Sequence, residues 1–241
     1  NILAKTNWFQ TNGVQVTQRL GEEKSRSGAF KQAVADNLID VKAQANALGF
    51  DLTDAQAEKI ARDSYVYGNS YNSNKVIQSI ATVGKVGGGQ ALSDVETLKQ
   101  HSQDMGVQYD QKWYEDQATA IAQNKTTMQE AQKTITDVAK SKYGQYADQL
   151  DAGLTMKQIA SPYINSMANL LEVPATSINL DDQTINRALT NVGADGKQQT
   201  LPLWQFETQL RQDPRWLQTK NAKDTIDSTA RSVLQSFGLA F

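Results

Sequence analysis

Residues 41–61 read VKAQANALGFDLTDAQAEKIA, and this stretch decides the fold class. Its first half carries apolar residues at helical spacing up to Gly49, where a helix C-terminus needs a left-handed residue that glycine takes without strain. The second half opens with TDAQ (Thr53 to Gln56), a pattern in which the threonine hydroxyl and the glutamine amide cap backbone groups reciprocally. A stop followed at once by a start predicts two consecutive helices. The same start pattern recurs as SDVE at Ser93, TMQE at Thr127 and TMKQ at Thr155. Continuous period-two runs are missing, so the chain reads as all-α, with at most a small hairpin.

Working outward, LKQHSQDMGVQYDQKWYEDQATA from Leu98 aligns with the opening stretch. Lys42 matches Lys99, Gly49 matches Gly106, Glu58 matches Glu115 and Ala61 matches Ala118. After a one-residue slip, Ile77 matches Ile135 and Ala81 matches Ala139. Each unit reads as helix, glycine stop, helix, polar turn, helix. A duplication and a chance likeness between two amphipathic hairpins both account for the match. Between the units lies VGKVGGGQ (Val83 to Gln90), which lacks the GK[ST] ending of a phosphate-binding loop and is expected to be a flexible linker.

All four prolines fall after residue 160, which marks a C-terminal domain beginning near Tyr143 to Gly153. The expected organisation is an N-terminal helical region with the first hairpin over 1–90, a second hairpin over 91–150 and a small helical domain over 151–241. The C-terminal domain opens with a stripe from Met156 to Leu171 that Pro162 interrupts in phase, predicting a restart with both halves on one core. Asp181 or Asp182 caps the next helix, and NVGADGKQQT (191–200) is a turn-rich loop able to close a hairpin. In LPLWQFETQLRQDPRWLQTKNA (201–222), Thr200 is expected to cap a helix that turns Leu203, Phe206 and Leu210 inward. Asp213 caps a second short helix. Trp204 and Trp216 are expected to close this corner over the Met156–Leu171 stripe, with Arg211 and Arg215 at its rim. The last helix carries Ile226, Ala230, Val233, Leu234 and Phe237 at helical spacing, a face that packs or meets a partner. Trp204, Phe206, Arg211, Arg215, Trp216 and Phe237 are therefore the candidate structural or interface residues.

Composition narrows the function classes. A hydrophobic fraction of 39% and a mean hydropathy of −0.55 suit thin cores and an elongated arrangement of the N-terminal units. Net charge is −2 with interleaved signs, so charge gives no indication of nucleic-acid contact. No apolar run approaches the roughly 20 residues that span a bilayer. The start, NILAKTNWFQ, has neither an initiator methionine nor a signal-peptide pattern, which suits a processed product or a part of something longer.

Catalytic chemistry is hard to place. The chain has no cysteine, which removes thiolate nucleophiles and cysteine metal sites, and its single histidine, His101, sits in a polar helix as a solvated or helix-end residue. Neither a GxSxG elbow nor a paired His–Asp arrangement is present. Glu115 in WYEDQ is the best candidate acid because aromatics precede it, which would suit a peptidoglycan-lytic enzyme. The sequence context of lytic transglycosylases is missing around it, and it aligns with Glu58, so a surface glutamate is the favoured reading. No metal or cofactor is expected.

GLTMKQIASPYINSMANLLEV, LDDQTINRAL, LWQFETQLRQDPRWLQTKNA and VLQSFGL follow one another in an order that resembles the C-terminal part of tailed-bacteriophage virion structural proteins, of the tape-measure or internal (ejection) type. TNWFQTNGVQVTQRL and LGFDLTDAQAEKIARDSYVYG are similar to helical units upstream in such chains. The resemblance implies a non-enzymatic virion component in the capsid interior, portal or tail, made in the host cytoplasm. It also implies assembly with copies of itself and with neighbouring virion proteins. None of the shared motifs is catalytic. A cytoplasmic helical adaptor, with a groove formed by the C-terminal domain, is the remaining alternative.

Overall fold

The computed structural model describes residues 7–194 and 196–237, with side chains from residue 13 onward. The protein is all-α: thirteen α-helices among the described residues, with one two-stranded antiparallel pair. Contacts divide it into two compact units. Unit 1 takes the chain up to Lys99 together with Tyr109–Gln132, and unit 2 takes Gln100–Gln108 with everything from Lys133.

Unit 1 contains α1 (Asn7–Lys24), α2 (Gly28–Leu48), α3 (Asp54–Tyr67), α4 (Ser73–Val83) and α6 (Gln111–Ala122), with most of α5 (Gly89–Met105). The stop and start in residues 41–61 behave as the sequence predicts. Gly49 ends α2 at φ +84°, and Thr53 with Gln56 forms a complete capping box on α3. Val41, Ala45, Phe50, Ala57, Ile60, Ala61 and Ile80 make a continuous core, dominated by the packing of α2 on α3. Many of these residues are alanines, which lets the backbones approach closely but buries little area per residue. Polar contacts therefore matter at the edge of this unit. Arg62 grips Glu23 through two 2.8 Å bonds and Asp63 through a third of 2.7 Å, while Tyr65 donates its hydroxyl proton to Glu22, fastening α1 to α3.

The glycine-rich run is not a flexible linker. Lys85 and Val86 pair antiparallel with Asp51 and Phe50, and the amides of Gly87 and Gly88 both donate to the Gly49 carbonyl at 3.0 and 3.2 Å. A Cβ on Gly49 would lie 1.8 Å from the Gly88 carbonyl oxygen, so glycine here serves contact between two backbones rather than mobility. The SDVE start also shifts. The Gly88 carbonyl already accepts from Leu92, so α5 begins at Gly89 and Ser93 falls inside its second turn.

The repeat carries a shared burial pattern. Val41 and Leu98, Ala45 and Ser102, Phe50 and Val107, Ala57 and Tyr114, and Ala61 and Ala118 are buried pairwise at aligned positions. Gly106 adopts φ +65° in the place of Gly49. One member is discordant: the Ser102 hydroxyl is buried with no hydrogen-bond partner where its counterpart is the apolar Ala45.

In unit 2 the later part of α7 (Met128–Lys142), whose Thr127–Glu130 cap forms as expected, leads into the buried Tyr143. Beyond it come α8 (Ala147–Asp151), α9 (Met156–Ile159), α10 (Ser161–Leu171), α11 (Gln183–Leu189), α12 (Leu203–Leu210) and α13 (Lys220–Ser236). Pro162 produces the restart between α9 and α10, and Met156, Ala160, Tyr163, Ile164, Met167 and Leu171 stay on one buried face. Asp182, not Asp181, caps α11 through the Thr184 amide at 2.8 Å. Val192 and Gln198 form a single bridge across the turn-rich loop.

Candidate interaction surface

The corner at 201–222 is built on Phe206. Its ring is fully buried and meets Tyr163 edge to face at 5.1 Å, while the Tyr163 hydroxyl donates to the Leu201 carbonyl. Leu210 is buried beside it on α12, and Glu207 accepts from Ser166 on α10. Thr200 does not cap α12. Its hydroxyl pairs with that of Tyr146 at 2.6 Å, and Pro202 takes the cap position, its carbonyl accepting from Gln205 and Phe206.

The expected tryptophan closure is overturned. Trp204 is 66% exposed, Leu203 also faces outward, and Trp216 is half-buried in the 3₁₀ turn Trp216–Gln218. Helical phase accounts for Trp204, which lies opposite the inward stripe of residues 206 and 210, whereas Leu203 shares that stripe and is left exposed as the first residue of the helix. Phe237 is 76% exposed at the end of α13, and Arg211 is exposed. Among the six candidate residues only Phe206 is core.

Arg215 performs a structural task. Its guanidinium spans Asp182 at 3.0 Å and Asp213 at 2.8 Å and also reaches Thr184, joining the cap of α11 to the turn before α13. Burial alone would raise the Asp182 carboxyl, but the Arg215 bond and the Thr184 amide bring it below its ordinary value. The Arg215 bond likewise lowers Asp213, and the two carboxylates raise Arg215 in turn. Asp213 does not cap a helix as expected: its carboxylate accepts from the Arg215 amide at 2.9 Å within a turn, and the 3₁₀ segment starts only at Trp216, with Arg215 in the cap position.

A residue that sequence reading missed holds the root of α13. Glu172 ends α10 in the left-handed region at φ +53°, and its carboxylate accepts from the backbone amides of Lys220 and Asn221 at 2.8 and 2.9 Å. Those two bonds lower its pKa, since a carboxylate is a better acceptor than its acid. Thr219 adds a bond from the Ala222 amide at 3.1 Å. The signal was absent from local sequence because Glu172 lies 48 residues before the amide it caps. Beside this root is an open cleft of about 390 Å³ floored by Met167, Leu171 and Ile178. Its ionic rim is already engaged, Glu172 by amides and Arg215 by carboxylates.

The candidate chemical residues stand apart from this corner in the sequence and have ordinary surroundings. Glu115 accepts from Gln111 one turn earlier at 2.6 Å on the outside of α6. Trp113 stacks on Tyr109 at 3.8 Å, and Tyr114 meets both edge-on, so these rings pack with one another. His101, near the end of α5, has a half-buried ring that bonds Thr136 on α7 at 3.2 Å. Among the described residues no cluster of three or more metal-ligating side chains occurs, and no helix is long and apolar enough to cross a membrane.

Several of the outward-facing residues are apolar. Trp204 and Leu217 in the corner, and Ile226, Val233 and Phe237 on α13, expose between 48% and 76% of their surface. Such residues suit contact with another macromolecular surface better than reaction with a small substrate. Comparison with protein-family models, with curated proteins and with solved structures finds no match to this chain.

Proposed function

We propose that this protein is a non-enzymatic structural component of a tailed-bacteriophage virion, of the tape-measure or internal (ejection) type, which assembles through helical interfaces with copies of itself and with other virion proteins. The observation that carries the reading is the order of the four C-terminal segments from Gly153 to Leu239. Support comes from the division of labour within those segments. Phe206, Met167 and Ile185 supply the core, while Trp204, Ile226, Val233 and Phe237 are left outward in numbers that a small helical unit would otherwise bury. The location that follows is the particle itself, in the capsid interior, portal or tail.

The reading is tested genetically. A phage unable to make this chain is expected to yield no infectious particles, and supply of the chain from a plasmid is expected to restore them. A normal titre of infectious particles in its absence would refute the role.

A further inference from the structure

The helix α13 is 17 residues long, about 25 Å at the rise of an α-helix, yet Ala222 in its first turn is its one buried residue among those described. It is held at its root by Glu172 and Thr219 and packs on the adjoining Trp216–Gln218 turn. Beyond the root, Ile226 is 52%, Val233 48% and Phe237 76% exposed. At helical periodicity Ala222, Ile226, Ala230, Val233, Leu234 and Phe237 fall within an arc of about 120°, with the long side chain of Lys223 near one edge of it. An arc of this kind is the pattern of a helix packed along its length against another element.

From this geometry we infer that α13 is a self-association helix, pairing antiparallel with α13 of a second copy of the chain. The occupant is fixed by complementarity of shape and charge. A two-fold axis near Ala230 sets Ile226 of each copy at the level of Val233 of the other, and the bulky Phe237 at the level of the small Ala222. The two flanks of the arc differ. One carries Lys220 at the root and then Asp227 and Arg231, one turn apart, and the other carries Thr229 and Ser236. Antiparallel helices bring like flanks together with the order reversed, so Asp227 of each copy faces Arg231 of the other, twice. Parallel pairing would set the charged flank against hydroxyls and give these charges no partner on the other copy.

The paired faces bury on the order of 1,000 Å² in total, at the low end for a specific interface, so the dimer forms with rising concentration rather than obligately. This inference stands on α13 alone and does not depend on the virion reading. A monomeric chain found in particles would overturn the first and leave the second, and a dimeric chain absent from particles the reverse.

Sedimentation velocity of the full chain over a concentration series decides it. The wild type is expected to shift from monomer to dimer, and Ile226→Asp with Val233→Asp to weaken the dimer by at least about thirtyfold. Both positions are exposed in the monomer, and far-UV circular dichroism checks that the helices persist. Asp227→Arg alone is expected to weaken pairing about tenfold, and Asp227→Arg with Arg231→Asp to return it to within about threefold of wild type. A wild type that stays monomeric, a double-aspartate variant that dimerises normally, or a charge swap no better than the single reversal would each overturn the inference. So would a monomer that instead co-floats with phosphatidylglycerol vesicles, which would assign the face to lipid.

Discussion

Substituting Gly49 by alanine should separate close backbone contact from simple loop flexibility at the glycine-rich crossing. Gly49 sits at φ +84°, where an L-residue pays about 1–2 kcal/mol. Its added Cβ would lie 1.8 Å from the Gly88 oxygen and 2.6 Å from the Gly88 carbon, backbone atoms that can retreat only if the strand pair opens. Opening it threatens the bonds from Gly87 and Gly88 to the Gly49 carbonyl, each worth about 1 kcal/mol net. The sum is a loss of about 3–4 kcal/mol. Gly88 is the internal control, because a Cβ there meets nothing within 4 Å and its φ is not in the left-handed range. Gly88→Ala should change stability by less than about 1 kcal/mol, in the stabilising direction where the shorter list of unfolded conformations dominates. Urea unfolding followed by circular dichroism measures both as a shift of midpoint at unchanged slope. Equal behaviour of the two variants, or a Gly49→Ala protein as stable as wild type, would refute the backbone-contact argument.

Three further outcomes follow from particular side chains. Ser102→Ala should raise stability by about 1 kcal/mol in the same urea assay, because it removes a buried hydroxyl without a partner and installs the residue found at the matching position, Ala45. Phe206→Ala should cost about 3–5 kcal/mol, whereas Trp204→Ala should stay within about 0.5 kcal/mol; a reversed order in thermal melts would restore the tryptophan closure and displace the Phe206 core. The lowered pKa of Glu172 sets a pH window: its hold on α13 is complete above the ordinary glutamate value of 4.5 and is lost as pH falls through the lower folded value. Amide exchange at Lys220 and Asn221 should therefore accelerate in acid, and Glu172→Gln should weaken that protection at neutral pH; exchange independent of both would contradict the clamp.

The helices and their ends were legible because caps and glycine stops act within a few residues. Thr53 with Gln56, Thr155 with Gln158, Gly49 and Gly106 each place a boundary by local geometry alone. Ser93 misled because a capping pattern is also compatible with the interior of a helix, and the Gly88 carbonyl had already started α5. The glycine run misled for a related reason. Glycine permits both mobility and close approach, and only the partner backbone at Gly49 distinguishes them. In the corner at 201–222, apolar size suggested that tryptophan would be core, but helical phase gave the inward positions to Phe206 and Leu210. Glu172 and the Arg215 bridge to Asp182 were invisible for want of proximity, since both join residues more than thirty positions apart. The exposed face of α13 was legible as a stripe, and the structure adds that its own unit leaves most of that stripe uncovered.

The central claim, a structural role inside a phage particle, is tested most directly by quantitative mass spectrometry of purified tailed-phage virions made in cells that express this chain. The account predicts the protein in intact particles at a fixed number of copies relative to the other virion proteins, retained through density-gradient purification and nuclease treatment. Particles that are complete and infectious but lack it would contradict the account.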